Sequence, residues 1–218
     1  MIPKTRTQNQ ALLQEASSLL LVTALCGAGG ALTTTADAAI VSTPGISPST
    51  PLNIPATTAG VYVNAVSGVN ALTPGGAPGW DINPWSGTGL RLFANNAAEA
   101  QDGIVGATAT VAALLTPLVS VVDATVANWP RTDAGPAWTL NASNYFGFRF
   151  IGDDTQLHFG WGRIDVGAAI TNRVLAELYY EDTPNSGITV GAVPEPTGAF
   201  LAAGAAGLMA LRRRRQAA

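Results

Sequence analysis

The chain is poor in the residues on which most sites are built. Among 218 residues there is one cysteine and one histidine. A single cysteine excludes an intrachain disulfide framework and any cysteine-based zinc cluster, and a single histidine excludes multi-histidine metal sites. Charge is scarce as well, at 11% of residues, while 47% are hydrophobic and the mean hydropathy is +0.25. A long helical bundle needs a charged outer face, and a disordered chain needs few apolar residues and many charges; this composition fits neither. Glycine (24) and proline (14) are plentiful, which favours short elements joined by turns.

The charges that exist are unevenly placed. Between Ala39 and Val193 there are eleven carboxylates and five arginines, a net charge of −6, and no lysine. The formal value of −3 for the whole chain hides this, because six of the eleven basic residues lie in the two ends. An acidic body repels phosphate and speaks against nucleic-acid binding. There is no GK[ST] phosphate loop either.

Both ends read as addresses. Lys4 and Arg6 precede an uncharged, mostly apolar stretch from Ala16 to Leu32, and a polar segment then ends in Ala36-Asp37-Ala38. That is the order of a secretory signal peptide, with Ala36 and Ala38 as the small residues of the signal peptidase site and Ala39 as the mature start. About 17 residues are short for a membrane span. Cys26 follows Leu25, not the small residue of a lipoprotein site, so it is expected to leave with the leader. At the other end Val193-Pro194-Glu195-Pro196 precedes 15 apolar or small residues, Thr197 to Leu211, and then Arg212, Arg213, Arg214 and Arg215. The four arginines act as a membrane stop, held on the cytoplasmic side. A plain tail anchor would have the same composition.

This C-terminus resembles a PEP-CTERM sorting signal, with its Pro-Glu-Pro motif, hydrophobic helix and basic cluster in that order within about 25 residues of the end. The resemblance implies a Gram-negative bacterium, usually one that makes exopolysaccharide. It implies processing at Pro194, Glu195 and Pro196 by an exosortase, a membrane cysteine transpeptidase. The expected route is export, an inner-membrane intermediate held transiently by the C-terminal helix, then the cell surface or extracellular matrix. Signal peptidase and exosortase are the expected partners during export, with exopolysaccharide as a candidate partner afterwards. The signal is shared by proteins with unrelated bodies, so it gives an address and not an activity. Tyr145–Phe150 (YFGFRF), His158–Trp161 (HFGW), Tyr179–Glu181 (YYE) and Ile188–Gly191 also resemble the bodies of many PEP-CTERM proteins, over roughly residues 144–196. That likeness supports a β fold and confers no reaction.

The expected layout is a signal peptide at 1–38, a proline-rich extended lead-in at 39–60, a β body at 61–192 and the sorting signal at 193–218. Pro44, Pro48, Pro51 and Pro55 mark the lead-in as extended and outside the core. Val61–Val66 and Leu90–Phe93 read as strands, and Gly75–Gly89 as a loop carrying Trp80 and Trp85. Residues 107–126 admit two readings, a helix over Val111–Leu115 or, favoured by the valines and by Pro117, strand, loop and strand. Phe146, Phe148 and Phe150 share one strand face, Asp153-Asp154 turn the chain, and Gln156–Val166 returns. In Arg173–Glu181, the side chains of Val174, Ala176, Leu178 and Tyr180 are expected on one face and those of Arg173, Glu177 and Glu181 on the other. The fold class is therefore all-β, an antiparallel sandwich or jelly-roll-like body between an N-terminal signal helix and a C-terminal hydrophobic helix.

No catalytic set, cofactor or metal site is expected. His158 lies near Asp153, Asp154 and Asp165, but no G-x-S-x-G turn activates a serine, and nothing in the sequence positions Ser143. A strand histidine with satisfied hydrogen bonds is the plainer account. Glu177 and Glu181 on a strand lie roughly 13 Å apart by rise, too wide for a retaining glycosidase pair; charge on a solvated face explains them. Gly152-Asp153-Asp154 with Gln156 offers hard oxygens but lacks the calcium-loop pattern. Trp80 and Trp85, in their Gly/Pro loop, are the candidate glycan-stacking residues, against the alternative that they plug the body's ends. A structural or interaction role comes first, a carbohydrate-binding module second and an extracellular hydrolase third.

Overall fold

The computed structural model describes residues 39–95, 101–131, 135 and 137–194. The two terminal helices expected from the sequence lie outside these residues, as do Ala36, Ala38, Glu195, Pro196 and Arg212–Arg215. The described residues form fourteen strands and one 3₁₀ turn, Pro74–Gly76, with no α-helix among them.

In chain order the strands are β1 (Ile40–Ser42), β2 (Leu52–Asn53), β3 (Tyr62–Val63), β4 (Asn70–Ala71), β5 (Ile82–Trp85), β6 (Arg91–Ala94) and β7 (Gly103–Ile104). They continue with β8 (Gly106–Thr108), β9 (Val111–Ala112), β10 (Val121–Val122), β11 (Ala142–Ile151), β12 (Leu157–Val166), β13 (Arg173–Glu181) and β14 (Ile188–Thr189). All named pairings are antiparallel. The main sheet runs β1-β13-β12-β11-β7, with β2 also paired to β13. A four-stranded sheet runs β4-β3-β5-β6, and β8-β9 and β10-β14 are two-stranded ribbons.

The long central strands form because their apolar residues satisfy both faces of the main sheet. On one face Phe146, Phe148, Phe150, Ile164, Leu175 and Leu178 join Val61, Val63, Ile82, Leu92 and Ala94 of the four-stranded sheet in one buried cluster. On the other, Phe159 and Trp161 pack with Val105, Val122, Ile188 and Val190 from the segments around the ribbons. A sheet covered on both sides has near-continuous apolar strands, and β12 is buried at every position from His158 to Gly162. The Phe146-Phe148-Phe150 face expected from the alternation is present, with all three fully buried. Gly152 N donates to the Gln156 carbonyl (2.9 Å) to close the turn that joins β11 to β12.

Four readings need correction. The lead-in is extended, but β1 and β2 pair with β13, and Ile46 and Ile54 are buried in the core, so it is part of the body's main sheet. Its prolines fall between the paired segments, where no ladder donor is lost. Gly75–Gly89 is not wholly loop, because β5 runs through Pro84. In β13 the register shifts opposite Arg163/Ile164, and the bulge changes the side-chain parity between Leu175 and Glu177. Arg173 and Leu175 therefore share the core side with Leu178, while Ala176 is the extra residue; strict alternation had placed Arg173 on the other face. Glu177 and Glu181 do not sit on a solvated face: Glu177 is half-buried against Arg163 (3.0 Å) and Glu181 is 2% exposed.

Candidate functional site

The four-stranded sheet turns one face to the core and presents aromatic residues on the other. The register sets Asn83 opposite Phe93 and Trp85 opposite Arg91, while Val63 opposite Ile82 places Tyr62 beside Asn83. The core takes the alternate residues, Val63, Ile82, Leu92 and Ala94. Period-2 alternation thus brings Tyr62, Asn83, Trp85, Arg91 and Phe93 to one outer face.

Trp80 completes the group just before β5. Its ring lies 4.9 Å from Tyr62, edge to face, and 5.6 Å from Phe93. The backbone around it is fixed by two amides. Asn64 Nδ2 donates to the Gly79 carbonyl (2.7 Å), and Asn95 Nδ2 donates to the Trp80 carbonyl (2.7 Å). Arg91 stands over the Trp85 ring with its guanidinium carbon 5.6 Å from the centroid, within cation–π range.

Two recesses flank the Trp85–Arg91 pair. One, of about 270 Å³, is lined by Thr58, Tyr62, Asn83, Trp85 and Phe93. The other, of about 390 Å³, includes Ser86, Thr88, Arg91, Trp138 and Leu140 in its wall. In the first, Asn83 is 3% exposed and donates to the Ala59 carbonyl (2.9 Å); its Oδ1 takes no hydrogen bond among the described residues. Trp85 Nε1 is buried without a partner. A buried indole N–H without a partner is uncommon in a folded interior, where nearly all such groups are paired.

Just before β5 Asp81 is buried, and its Oδ2 accepts a hydrogen bond from Ala65 N (2.7 Å). Burial pushes its carboxyl up to about 8; the Ala65 donor opposes the rise, and Asp102 and Asp153 add to it. Nothing in the sequence marked Asp81, Asn83 or Tyr62, because short strands interrupted by proline give weak periodicity. Pro84 concealed the alternation that aligns them.

The other candidates are distributed elsewhere. Of the remaining tryptophans, Trp161 is buried and stacks on Tyr179 at 4.7 Å, Trp129 lies under the Arg149 guanidinium at 4.5 Å, and Trp138 donates to the Leu90 carbonyl (2.7 Å). His158 is buried, with Nδ1 2.8 Å from the Glu181 carbonyl and Nε2 3.1 Å from Asp154 Oδ1, as expected of a satisfied strand histidine. The Gln156 amide, more than the His158 contact, holds the Asp154 carboxyl below its ordinary range. Ser143 Oγ donates to Asp165 Oδ1 (2.7 Å), but His158 lies seven residues from Asp165 along β12, about 23 Å by rise, so these groups form no triad. No group of three metal-ligating side chains occurs among the described residues. Pro194 is exposed at the end of the described chain, two residues after Ala192, whose carbonyl accepts from Trp161 Nε1 (3.1 Å). Comparison with protein-family models, curated proteins and solved structures finds no match, so the outer aromatic face is read from its own geometry.

Proposed function

We propose that this chain is an exported, exosortase-processed surface protein whose body works by non-covalent binding, and that the face built by Tyr62, Trp80, Trp85 and Phe93 holds saccharide. The address rests on the two ends: a leader at 1–38 with its small residues at Ala36 and Ala38, and a Pro-Glu-Pro, apolar, arginine order at 193–218. The sandwich reading of the body draws on the buried cluster shared by the main and four-stranded sheets.

One observation carries the binding reading: three aromatic side chains, Tyr62, Trp85 and Phe93, line one recess together with the amide of Asn83. Ring faces take the apolar C–H side of a pyranose, while Asn83 Oδ1 is free to accept from a hydroxyl. Apolar recesses with a few convergent polar groups are the usual form of small-molecule sites. Trp80 and its neighbours are held by backbone and amide hydrogen bonds, so binding would order little. Exopolysaccharide, the polymer at the surface to which the tail directs the chain, is the ligand this reading expects.

The test is a titration of the chain with exopolysaccharide from its own host, followed by tryptophan fluorescence. Saturable binding that weakens at least about tenfold in Trp85→Ala, with circular dichroism unchanged, is the expected result. Binding unaffected by Trp85→Ala, or no binding by the parent chain, overturns the saccharide reading. The address is tested apart, by the mass of the protein recovered from its host: a retained Arg212–Arg215 cluster counts against processing.

A further inference from the structure

The two most exposed large apolar side chains among the described residues, Leu118 and Val119, lie beside the point where the chain leaves the body. Leu118 and Val119 are each 75% exposed, Val121 49% and Val193 50%. Leu118 and Val119 occupy the tip of a turn closed by Ser120 N donating to the Thr116 carbonyl (2.9 Å) and by Thr116 N donating to Ser120 Oγ (3.0 Å). Leu118 has φ of +61°, an unfavourable conformation for leucine. Here the turn aims a branched apolar side chain outward where glycine or asparagine would be easier.

The turn is fastened to the exit strand. Leu118 N donates to the Val190 carbonyl (2.7 Å), Val190 N donates to the Ser120 carbonyl (3.0 Å), and β10 pairs with β14. Trp161 then pins Ala192 through its carbonyl. The next described residues, Val193 and Pro194, are exposed, and the apolar tail of the sequence begins at Thr197. Five residues from Ala192 to Thr197 span at most about 18 Å. The turn and the exit segment themselves carry no charge: Gly103–Val122 and Thr183–Pro194 contain no ionisable side chain, with Asp123 and Asp182 at their borders.

We infer that the Thr116–Val121 turn is a membrane-docking wedge, which rests Leu118 and Val119 in the interfacial layer of the bilayer that holds the C-terminal tail. This rests on the reading of residues 197–211 as a membrane segment. The short connection after Ala192 brings the turn close to the surface the tail enters, and a neutral apolar tip can enter the headgroup boundary without desolvating a charge. The consequence for processing is positional. A body seated on the bilayer at its exit strand holds Pro194-Glu195-Pro196 at the membrane surface, within reach of a membrane transpeptidase, in place of a body swinging on a free tether.

The test places a spin label at one site at a time in the full chain carrying Cys26→Ser, reconstituted into phosphatidylethanolamine/phosphatidylglycerol vesicles. Labels go on Val119→Cys, on Leu208→Cys in the tail, and on Leu72→Cys, an exposed leucine (61%) of another loop. Relaxation by a water-soluble nickel complex is compared with relaxation by oxygen, which concentrates in lipid. The expected result is a nickel accessibility at Val119 at least about fivefold below that at Leu72, with Leu208 lower still. A shielded Leu208 with Val119 as wet as Leu72 overturns the wedge and leaves the tail reading standing. A wet Leu208 removes the tail reading and the wedge with it. Shielding of Val119 that is already complete in lipid-free protein, and lost when residues 197–218 are deleted, would show the tail to be the occupant and would also overturn the wedge.

Discussion

Phe148 lies over Gly160, its cross-strand partner in the main sheet. A Cβ added at Gly160 would run into the Phe148 ring and sit 2.7 Å from the Tyr179 carbonyl. The same arrangement repeats two pairs along the ladder, on the same face, where Phe146 covers Gly162. Phenylalanine on one strand thus fills the space that glycine vacates on the next, a pairing known to offset the weakness of glycine within sheets. Gly160→Ala should cost about 2 kcal/mol by overpacking, read as a lower urea midpoint with unchanged slope. Phe148→Leu in the same chain should recover part of the loss; strictly additive effects would show that the ring and the glycine are not coupled.

Arg173 binds parts of the chain that are remote in sequence. It is 1% exposed; Nη2 donates to the carbonyls of Ser86 (2.6 Å) and Pro55 (3.1 Å), and Nη1 to those of Gly89 and Ile170. Burial lowers its affinity for a proton, and no carboxylate is among these partners. Removing the fork leaves several carbonyls without a donor, so Arg173→Met should lose about 3 kcal/mol or more. Lysine keeps the charge but cannot match the fork, so Arg173→Lys should recover little of that stability. Near-parent stability of Arg173→Met would mean that the loops at Pro55, Ser86 and Gly89 are held by other contacts.

These two residues mark what the sequence could and could not show. The Phe146-Phe148-Phe150 face was legible because strict alternation over a long strand has one reading, and the two glycines of β12 fell into place as its partners. Arg173 was not legible, because one bulged residue reverses every side chain before it. Trp80 and Trp85 were recognisable as unusual in a Gly/Pro-rich stretch. Their companions Tyr62, Asn83 and Phe93 come from three strands of two to four residues, and only the register assembles them. The likeness of the tail to a sorting signal needed no fold at all, since it lies in composition and order.

Gly60 lies against the β5 backbone that carries Trp85. Its φ is +64°, and a Cβ there would meet the Pro84 carbonyl and lie 2.5 Å from Trp85 Cβ. Gly60→Ala should strain the backbone and displace β5 together with the Trp85 ring, costing about 1–3 kcal/mol. Saccharide binding should weaken with it, while the β11–β13 region stays protected in hydrogen exchange. Unchanged stability would show that β5 can shift without loss, which the core positions of Ile82 and Pro84 oppose.

Asp81 gives the chain an inverted pH response. Its folded carboxyl titrates near 8 against an unfolded value of 3.8, so the folded state binds the proton more tightly. Stability from this group is full below about pH 4 and is lost as pH rises through about 8, with a slope of at most about 1.4 kcal/mol per pH unit between them. In Asp81→Asn the amide oxygen still accepts from Ala65 N and nothing ionises. Urea midpoints for the variant and the parent should therefore nearly coincide at pH 4, diverge through pH 6, and differ most at pH 8 and above, with the variant the more stable. Parallel midpoints across that range would mean that Asp81 is ionised in the folded chain at pH 6, with solvent reaching its carboxylate.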